Sequence, residues 1–203
     1  MPFPFNNPGH AEPVEVRTLP GGDALPADRD ALRDWPDILE AAEAALARRR
    51  EAYPAMVEKG GMTGEEAEAD IAAWNLLAAE WRFIVHGTGE LPPSYTLFAR
   101  IAAVDLAIER ACNARSRRSR DAGLARQQDL YTAMRWHLSR LDAGGQLIHR
   151  LARLTHQMRG AMAHCAICDR RREDAARTAC TRTDCGLPHR FTQPPSRQEK
   201  EAA

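Results

Sequence analysis

TGEEAEADIAAWNLLAAEWRFIV, residues 63–85, carries the clearest structural signal in the chain. Thr63 and Glu66 have the spacing of a capping box, in which the two side chains satisfy backbone N–H groups at the start of a helix. Apolar residues then recur at steps of three and four, which places them on one helical face. They are Ile71, Trp74, Leu77, Ala78, Trp81, Ile84 and Val85. The stretch predicts a helix over 65–85 whose two tryptophans belong to a core.

The same spacing recurs along the chain and predicts four further helices, over about 36–53, 94–114, 121–142 and 146–163. Pro54 is expected to end the first of them, since proline lacks the N–H that a helix needs. Cys112 falls at the end of the apolar seam of the third, so a buried role is expected for it. No segment alternates convincingly like a strand. The chain is therefore predicted to be all-α, with about five amphipathic helices forming a bundle.

The ends of the chain differ from this pattern. Residues 1–27 contain six prolines and no apolar period, which predicts a disordered arm, and the polar residues 192–203 predict a disordered tail. The helical bundle is expected to occupy 28–163 and a separate small module 164–191.

The small module is defined by HCAICDRRREDAARTACTRTDCGLPHR, residues 164–190, which holds four of the five cysteines. Two close thiol pairs joined by a short connection match the ligand spacing of a structural zinc site. The predicted ligands are Cys165, Cys168, Cys180 and Cys185. His189 is the first substitute if one cysteine is not a ligand. The predicted cofactor is therefore Zn²⁺.

The predicted zinc site is structural, because four thiolates leave no open position for a substrate or a water molecule. His149, His156 and His164 lie along one side of the fifth helix, but residues seven apart are separated by about 10.5 Å, too far to share one ion. Familiar catalytic and nucleotide-binding motifs are also missing from the sequence. These observations disfavour an enzyme.

Charge is divided unevenly between the two halves. Residues 1–90 hold 8 basic and 17 acidic residues, whereas 91–203 hold 20 and 11, giving net charges of −9 and +9. The basic residues cluster at Arg115, Arg117, Arg118 and Arg120, and again at Arg170, Arg171 and Arg172. Arginine clusters suit phosphate, so a nucleic-acid partner is predicted at these residues. The alternative is that the two halves attract each other within the fold or between protomers.

One segment carries a resemblance. RRREAYPAMVEKGGMTGEEAEADIAAW, residues 48–74, resembles a helix–proline–turn–helix segment of uncharacterised prophage-associated proteins. The resemblance covers about an eighth of the chain and implies a phage or mobile-element origin. It carries no functional residues across.

No stretch of the sequence predicts a membrane span or a secretory signal, so a cytoplasmic location and no membrane partner are expected. The leading functional hypothesis is a non-catalytic zinc-binding helical protein that binds nucleic acid or regulates it. The alternative is a protein-interaction or assembly component in which zinc is purely structural. An enzyme of unrecognised class comes third.

Overall fold

The structure is a computed structural model that describes residues 15–162, with side chains to residue 158. This part of the chain is mostly helical, which confirms the predicted all-α class. Its α-helices are α1 (Trp35–Glu58), α2 (Gly64–His86), α3 (Leu97–Arg117), α4 (Ala122–Leu138) and α5 (Leu147–Met162). Short 3₁₀ helices at Arg29–Leu32 and Ser94–Thr96 precede α1 and α3. Among the described residues, no helix has both the length and the apolar character that crossing a membrane requires.

The chain divides into two compact units, Met1–Ala152 and Arg153–Ala203. The first contains α1 to α4 and the start of α5, and it holds every site described below. The predicted zinc module, 164–191, and the predicted tail, 192–203, lie outside the described residues.

The capping box that opens α2 forms as the sequence predicts. The Glu66 backbone N–H donates to the Thr63 hydroxyl at 3.1 Å, and the Thr63 N–H donates to the Glu66 carboxylate at 2.8 Å. Gly87 ends the helix in the left-handed conformation, with φ of 73°, which glycine adopts without the steric cost of a Cβ. The capping box therefore fixes the residue at which α2 begins.

Pro54 does not end the first helix, contrary to the sequence-based prediction. Helix α1 continues through it to Glu58. Backbone hydrogen bonds from Lys59 N–H to the Ala55 carbonyl and from Gly61 N–H to the Met56 carbonyl close the final turn. A proline removes only one donor, and Tyr53, buried just before it, holds this part of the helix against the core.

A small antiparallel sheet replaces the predicted end of the fourth helix. Helix α4 stops at Leu138, and a hairpin of β2 (Arg140–Asp142) and β3 (Gly145–Gln146) follows it. Strand β1 (Arg17–Thr18) pairs with the other edge of β2, so the sheet order is β1-β2-β3. The end of segment 1–27, for which disorder was predicted, thus contributes a strand. Gly144 and Gly145 serve as a hairpin turn here and not as a simple helix break.

Gly22 allows the segment after β1 to lie directly against α4. A Cβ built at this position would stand 2.2 Å from the Ser139 Cβ, closer than any two such atoms can approach. The Leu19 N–H donates to the Ser139 carbonyl at 2.9 Å, and an Arg140 guanidinium N–H donates to the Gly22 carbonyl at 2.9 Å. The N-terminal segment is therefore tied to the end of α4 by backbone contacts.

The core of the first unit is made by the inner faces of α1 to α4. Trp74 and Trp81 are fully buried, which confirms that the tryptophan stripe of α2 packs inward. The expectation of a buried Cys112 was wrong, because Cys112 is exposed and its neighbour Ala111 is the residue of α3 that packs into the core. At the start of α5 the core residues are Ile148 and Ala152, while Leu151 is 41% exposed.

Candidate nucleic-acid interface

The basic sequence 115–120 spans the last turn of α3 and an ordered turn between α3 and α4. Arg115 and Arg117 lie in the last turn of α3, where positive charge offsets the negative end of the helix dipole. The Arg118 N–H donates to the Arg115 carbonyl at 3.0 Å, and the Asp121 N–H donates to the Arg118 carbonyl at 3.0 Å. Asp121 then caps α4 by accepting from the Leu124 N–H at 3.1 Å. We call Arg115, Arg117, Arg118 and Arg120 the basic junction.

The side chains of the basic junction are accessible. Arg117, Arg118 and Arg120 are exposed, and Arg115 is half-buried. Arg115 donates to the Gln128 amide oxygen at 3.2 Å, which anchors its guanidinium beside α4 without neutralising it. Two carboxylates stand nearby in the sequence, Glu109 and Asp121, and Asp121 is committed to the helix cap. The junction therefore presents an excess of positive charge to solvent.

Most other arginines of the second half are neutralised within the fold. Arg126 contacts the carboxylates of Asp28, Asp34 and Asp37 at 2.9, 2.5 and 2.7 Å. Further ion pairs, some between the two halves and some within the second half, join Arg100 to Glu80, Arg140 to Asp23, Arg135 to Asp105 and Arg150 to Asp142. Attraction between the halves thus accounts for part of the charge asymmetry.

The remaining arginines of the second half are concentrated in one place. Among the side chains that the structure describes after residue 90, six arginines form no ion pair: Arg110, Arg115, Arg117, Arg118, Arg120 and Arg153. Five of the six belong to the C-terminal part of α3 and the turn that follows. Sequence reasoning missed Arg110, which stands alone in the sequence. The positive charge that no carboxylate pairs with is therefore concentrated at the end of α3 and in the turn that follows it.

The predicted zinc ligands Cys165, Cys168, Cys180 and Cys185, the substitute His189 and the second basic cluster, Arg170 to Arg172, lie outside the described residues. Within residues 15–162, no group of three or more histidine, cysteine, aspartate or glutamate side chains is arranged to hold a metal ion. The metal-site prediction therefore rests on the spacing of the cysteines in the sequence.

A second polar cluster lies in the core, where the sequence did not predict one. Arg100 donates to the Glu80 carboxylate and, at 3.2 Å, to the Gln146 amide oxygen. His149 Nε2 lies 2.6 Å from the other Glu80 oxygen. Burial raises the pKa of Glu80, but the hydrogen bond from His149 and the charge and hydrogen bond of Arg100 outweigh it and hold the pKa below its ordinary value. Glu80 and Arg100 are fully buried, so no substrate reaches them and their role is structural.

His137 is another buried titratable group. Burial, against the opposing effect of the hydrogen bond with the Leu32 carbonyl and with a smaller contribution from the charge of Arg140, lowers its pKa to about 4. The ring is therefore neutral at pH 7. Its Nε2 lies 2.9 Å from the Leu32 oxygen, so this nitrogen carries the proton and donates. His137 joins α4 to the 3₁₀ helix that precedes α1.

Neither protein-family models, nor curated proteins, nor solved structures gave a significant match to the chain.

Proposed function

We propose that this protein binds nucleic acid through phosphate contacts made by the basic junction. The observation that carries the proposal is the concentration of unpaired arginines there, in a fold that pairs five other arginines of the same half with carboxylates. Guanidinium groups donate two parallel hydrogen bonds to phosphate oxygens, and they keep their charge at any physiological pH. Binding of this kind positions a protein on the backbone without selecting a sequence.

In this proposal the protein is non-catalytic. It also carries a structural zinc module, whose ligands are Cys165, Cys168, Cys180 and Cys185. A module of this size has too little core of its own and gains its stability from the metal. Its Arg170, Arg171 and Arg172 supply a second set of phosphate contacts in the proposal. The resemblance of residues 48–74 to a prophage-associated segment supports a mobile-element origin.

The proposal predicts a salt-dependent affinity for DNA that falls when the junction is neutralised. Replacing Arg115, Arg117 and Arg118 by alanine together should weaken binding to duplexes of unrelated sequence about equally. The plot of log affinity against log salt has a slope near −0.9 for each phosphate neutralised, so the slope should flatten by roughly two to three. Fluorescence anisotropy with labelled duplexes, titrated at several salt concentrations, measures both quantities.

A triple variant of exposed arginines elsewhere in the first unit provides the control. Arg17, Arg33 and Arg82 are exposed, and replacing them removes the same charge from β1, the segment before α1 and α2. This control should retain most of the affinity and a near-unchanged salt slope. Equal weakening by the two triple variants would show that total charge matters and the junction does not. If folded, zinc-loaded protein binds neither DNA nor RNA at low salt, the proposal is wrong.

Metal analysis tests the zinc module separately. Protein purified without added metal should contain about one zinc per chain. Replacing Cys165 or Cys180 by serine should release the metal while the helical circular-dichroism signal of α1 to α4 persists, because their core lies in another unit. Full zinc occupancy in a variant that carries both serine substitutions would overturn the assigned ligands. Complete loss of helical signal on chelation would instead mean that the metal supports the whole fold.

An assembly component is the second candidate function. Tyr95, in the 3₁₀ helix before α3, and Phe98, in the first turn of α3, are 84% and 70% exposed, and large exposed side chains of this kind often mark protein interfaces. A stoichiometric protein complex that survives moderate salt would favour this function. A complex that dissolves with salt and with nuclease would favour nucleic-acid binding.

A further inference from the structure

A separate pocket lies between α1, α3 and α4. Its volume is about 270 Å³, at the lower end of the range for small-molecule sites. Its polar lining consists of Arg48, Arg49, Arg110, Gln127 and the two tyrosines Tyr53 and Tyr131. No carboxylate lines it, although the first half of the chain is acidic. We call this cavity the arginine pocket.

Two of its three guanidinium groups lack a counter-ion. Arg49 is neutralised by Asp70 at 2.8 Å and stacks on the Trp74 ring, with its Cζ 4.2 Å from the ring centre. Arg48 and Arg110, in contrast, form no ion pair within the part of the chain that the structure describes. Both are exposed and belong to different helices, so the pocket brings together charges that are distant in the sequence. Two unpaired guanidinium groups match the charge of a dianion.

The Tyr131 hydroxyl gives a second observation about the pocket, independent of the arginine charges. Tyr131 is only 4% exposed. Its oxygen accepts from Arg48 at 2.9 Å and from Gln127 at 3.2 Å, which uses both lone pairs. Its own hydrogen has no acceptor among the residues described. This hydrogen is therefore available to a ligand oxygen in the pocket.

The rest of the lining is small and apolar. Four alanines, from α1 and α3, leave room that larger side chains would have filled; they are Ala52, Ala107, Ala111 and Ala114. Methyl walls of this kind suit the apolar face of a sugar or a base, whereas the arginines and the tyrosine suit an anionic oxygen. The volume of about 270 Å³ suits a small ligand of about the size of one nucleotide.

We propose that the arginine pocket binds the phosphate monoester of a single nucleotide. Arg48 and Arg110 neutralise the two charges of the monoester, and Tyr131 and Gln127 supply neutral donors. The proposal does not depend on the function proposed for the basic junction. It concerns a different chemical group, because phosphates within a strand are diesters with one charge. The monoester comes either from a free nucleotide or from the 5′ end of a strand.

Calorimetric titration with 5′-AMP, inorganic phosphate and adenosine tests the site directly. AMP should bind with one saturable site, phosphate should compete with it, and adenosine, which lacks the dianion, should bind far more weakly. Arg48→Ala should weaken AMP binding about tenfold to hundredfold, the usual effect of losing a charged hydrogen bond. Tyr131→Phe should weaken it less and leave the ring packing intact.

Arg50→Ala is the matched control for Arg48→Ala. Arg50 is an exposed arginine two residues away on the same helix, and it donates to Asn75 on α2 at 2.7 Å instead of lining the pocket. AMP affinity should be unchanged in this variant. If Arg48→Ala fails to fold, Arg110→Ala is the second test. No saturable binding of AMP or phosphate, or an equal loss in the Arg50 variant, would overturn the proposal.

Single-stranded oligonucleotides distinguish the two sources of the monoester. If strands carrying a 5′-phosphate bind more tightly than 5′-hydroxyl strands, and Arg48→Ala removes the difference, the pocket binds a strand end. If AMP binds but the two strands bind equally, the ligand is a free nucleotide. AMP binding by a parent protein that binds neither DNA nor RNA at low salt would uphold the pocket and refute the junction. Duplex binding without AMP binding would uphold the junction and refute the pocket.

Discussion

Replacing Arg100 by methionine should lower the free energy of unfolding by about 3–5 kcal/mol, because it leaves a carboxylate buried without its main partner. Arg100 and Glu80 are both fully buried, and the lost guanidinium also donates to Gln146. Methionine fills a similar volume, so the loss reports on charge more than on packing. Urea unfolding followed by circular dichroism at pH 7 measures it.

A double-mutant cycle separates the buried pair from the packing around it. Glu80→Gln combined with Arg100→Met removes both charges, and this double variant should be more stable than Arg100→Met alone. If the effects of Glu80→Gln and Arg100→Met simply add, the two charges are not coupled.

Arg82→Ala provides a comparison at the surface. It breaks an exposed pair with Glu43 and should cost no more than about 1 kcal/mol.

The acid dependence of stability provides a further check on the same pair. The pKa of Glu80 lies below its ordinary value of 4.5 in the folded protein. Its contribution to stability is therefore complete above that value and is lost as the pH falls through the lowered pKa. In Arg100→Met this part of the acid-induced loss should shrink, since the hydrogen bond from His149 then remains but the charge and the hydrogen bond of Arg100, which also hold the pKa down, have been removed.

Trp74→Ala should cost about 3–5 kcal/mol, the usual result of deleting a large buried aromatic side chain. Trp74 is fully buried, packs edge-on against Tyr131 with ring centres 5.7 Å apart, and carries the Arg49 guanidinium on its face. The substitution therefore removes contacts between α2 and both α1 and α4. Urea unfolding compares the variant with the parent protein.

Phe98→Ala is the control for Trp74→Ala. Phe98 is 70% exposed, so its loss should change stability by less than about 0.5 kcal/mol. Similar small effects for both substitutions would mean that the tryptophan face of α2 does not hold the bundle together. A large effect at Trp74 alone is expected.

Local signals made the helices predictable. The capping box at Thr63 and Glu66 and the apolar spacing after it placed α2 to within one residue at each end. The buried positions of α1, including Arg49 and Tyr53, follow the same helical spacing of apolar positions. Such features depend on residues less than two turns apart. The prediction failed where distant residues decide, as at β2, whose pairing with Arg17 and Thr18 ends α4 early.

The buried ion pair is also marked in the sequence, because each of its charged residues lies on the apolar face of a helix. Arg100 stands three residues after Leu97 and four before Val104, so it lies on the apolar seam of α3. Glu80 has the same relation to Leu77 and Ile84 on α2. Opposite charges on two inward faces indicate a buried pair, because neither is stable there alone.

The basic junction was visible in the sequence because its arginines are consecutive or nearly so. The arginine pocket was not, since its polar groups come from three helices, three from α1, one from α3 and two from α4. No pattern within a single helix distinguishes Arg48 from Arg50, which stands two residues away on the surface. Their different surroundings arise only when the helices pack.

The contact between strand β1 and the hairpin has a consequence for the order of folding. The Gly22 carbonyl and its Arg140 donor are 118 residues apart in the chain, and closing so long a loop is entropically costly. The helices depend on nearer partners and should form first, leaving β1 to join last and to detach first. During synthesis, the residues of β1 must wait until more than a hundred later residues have been made before they can pair.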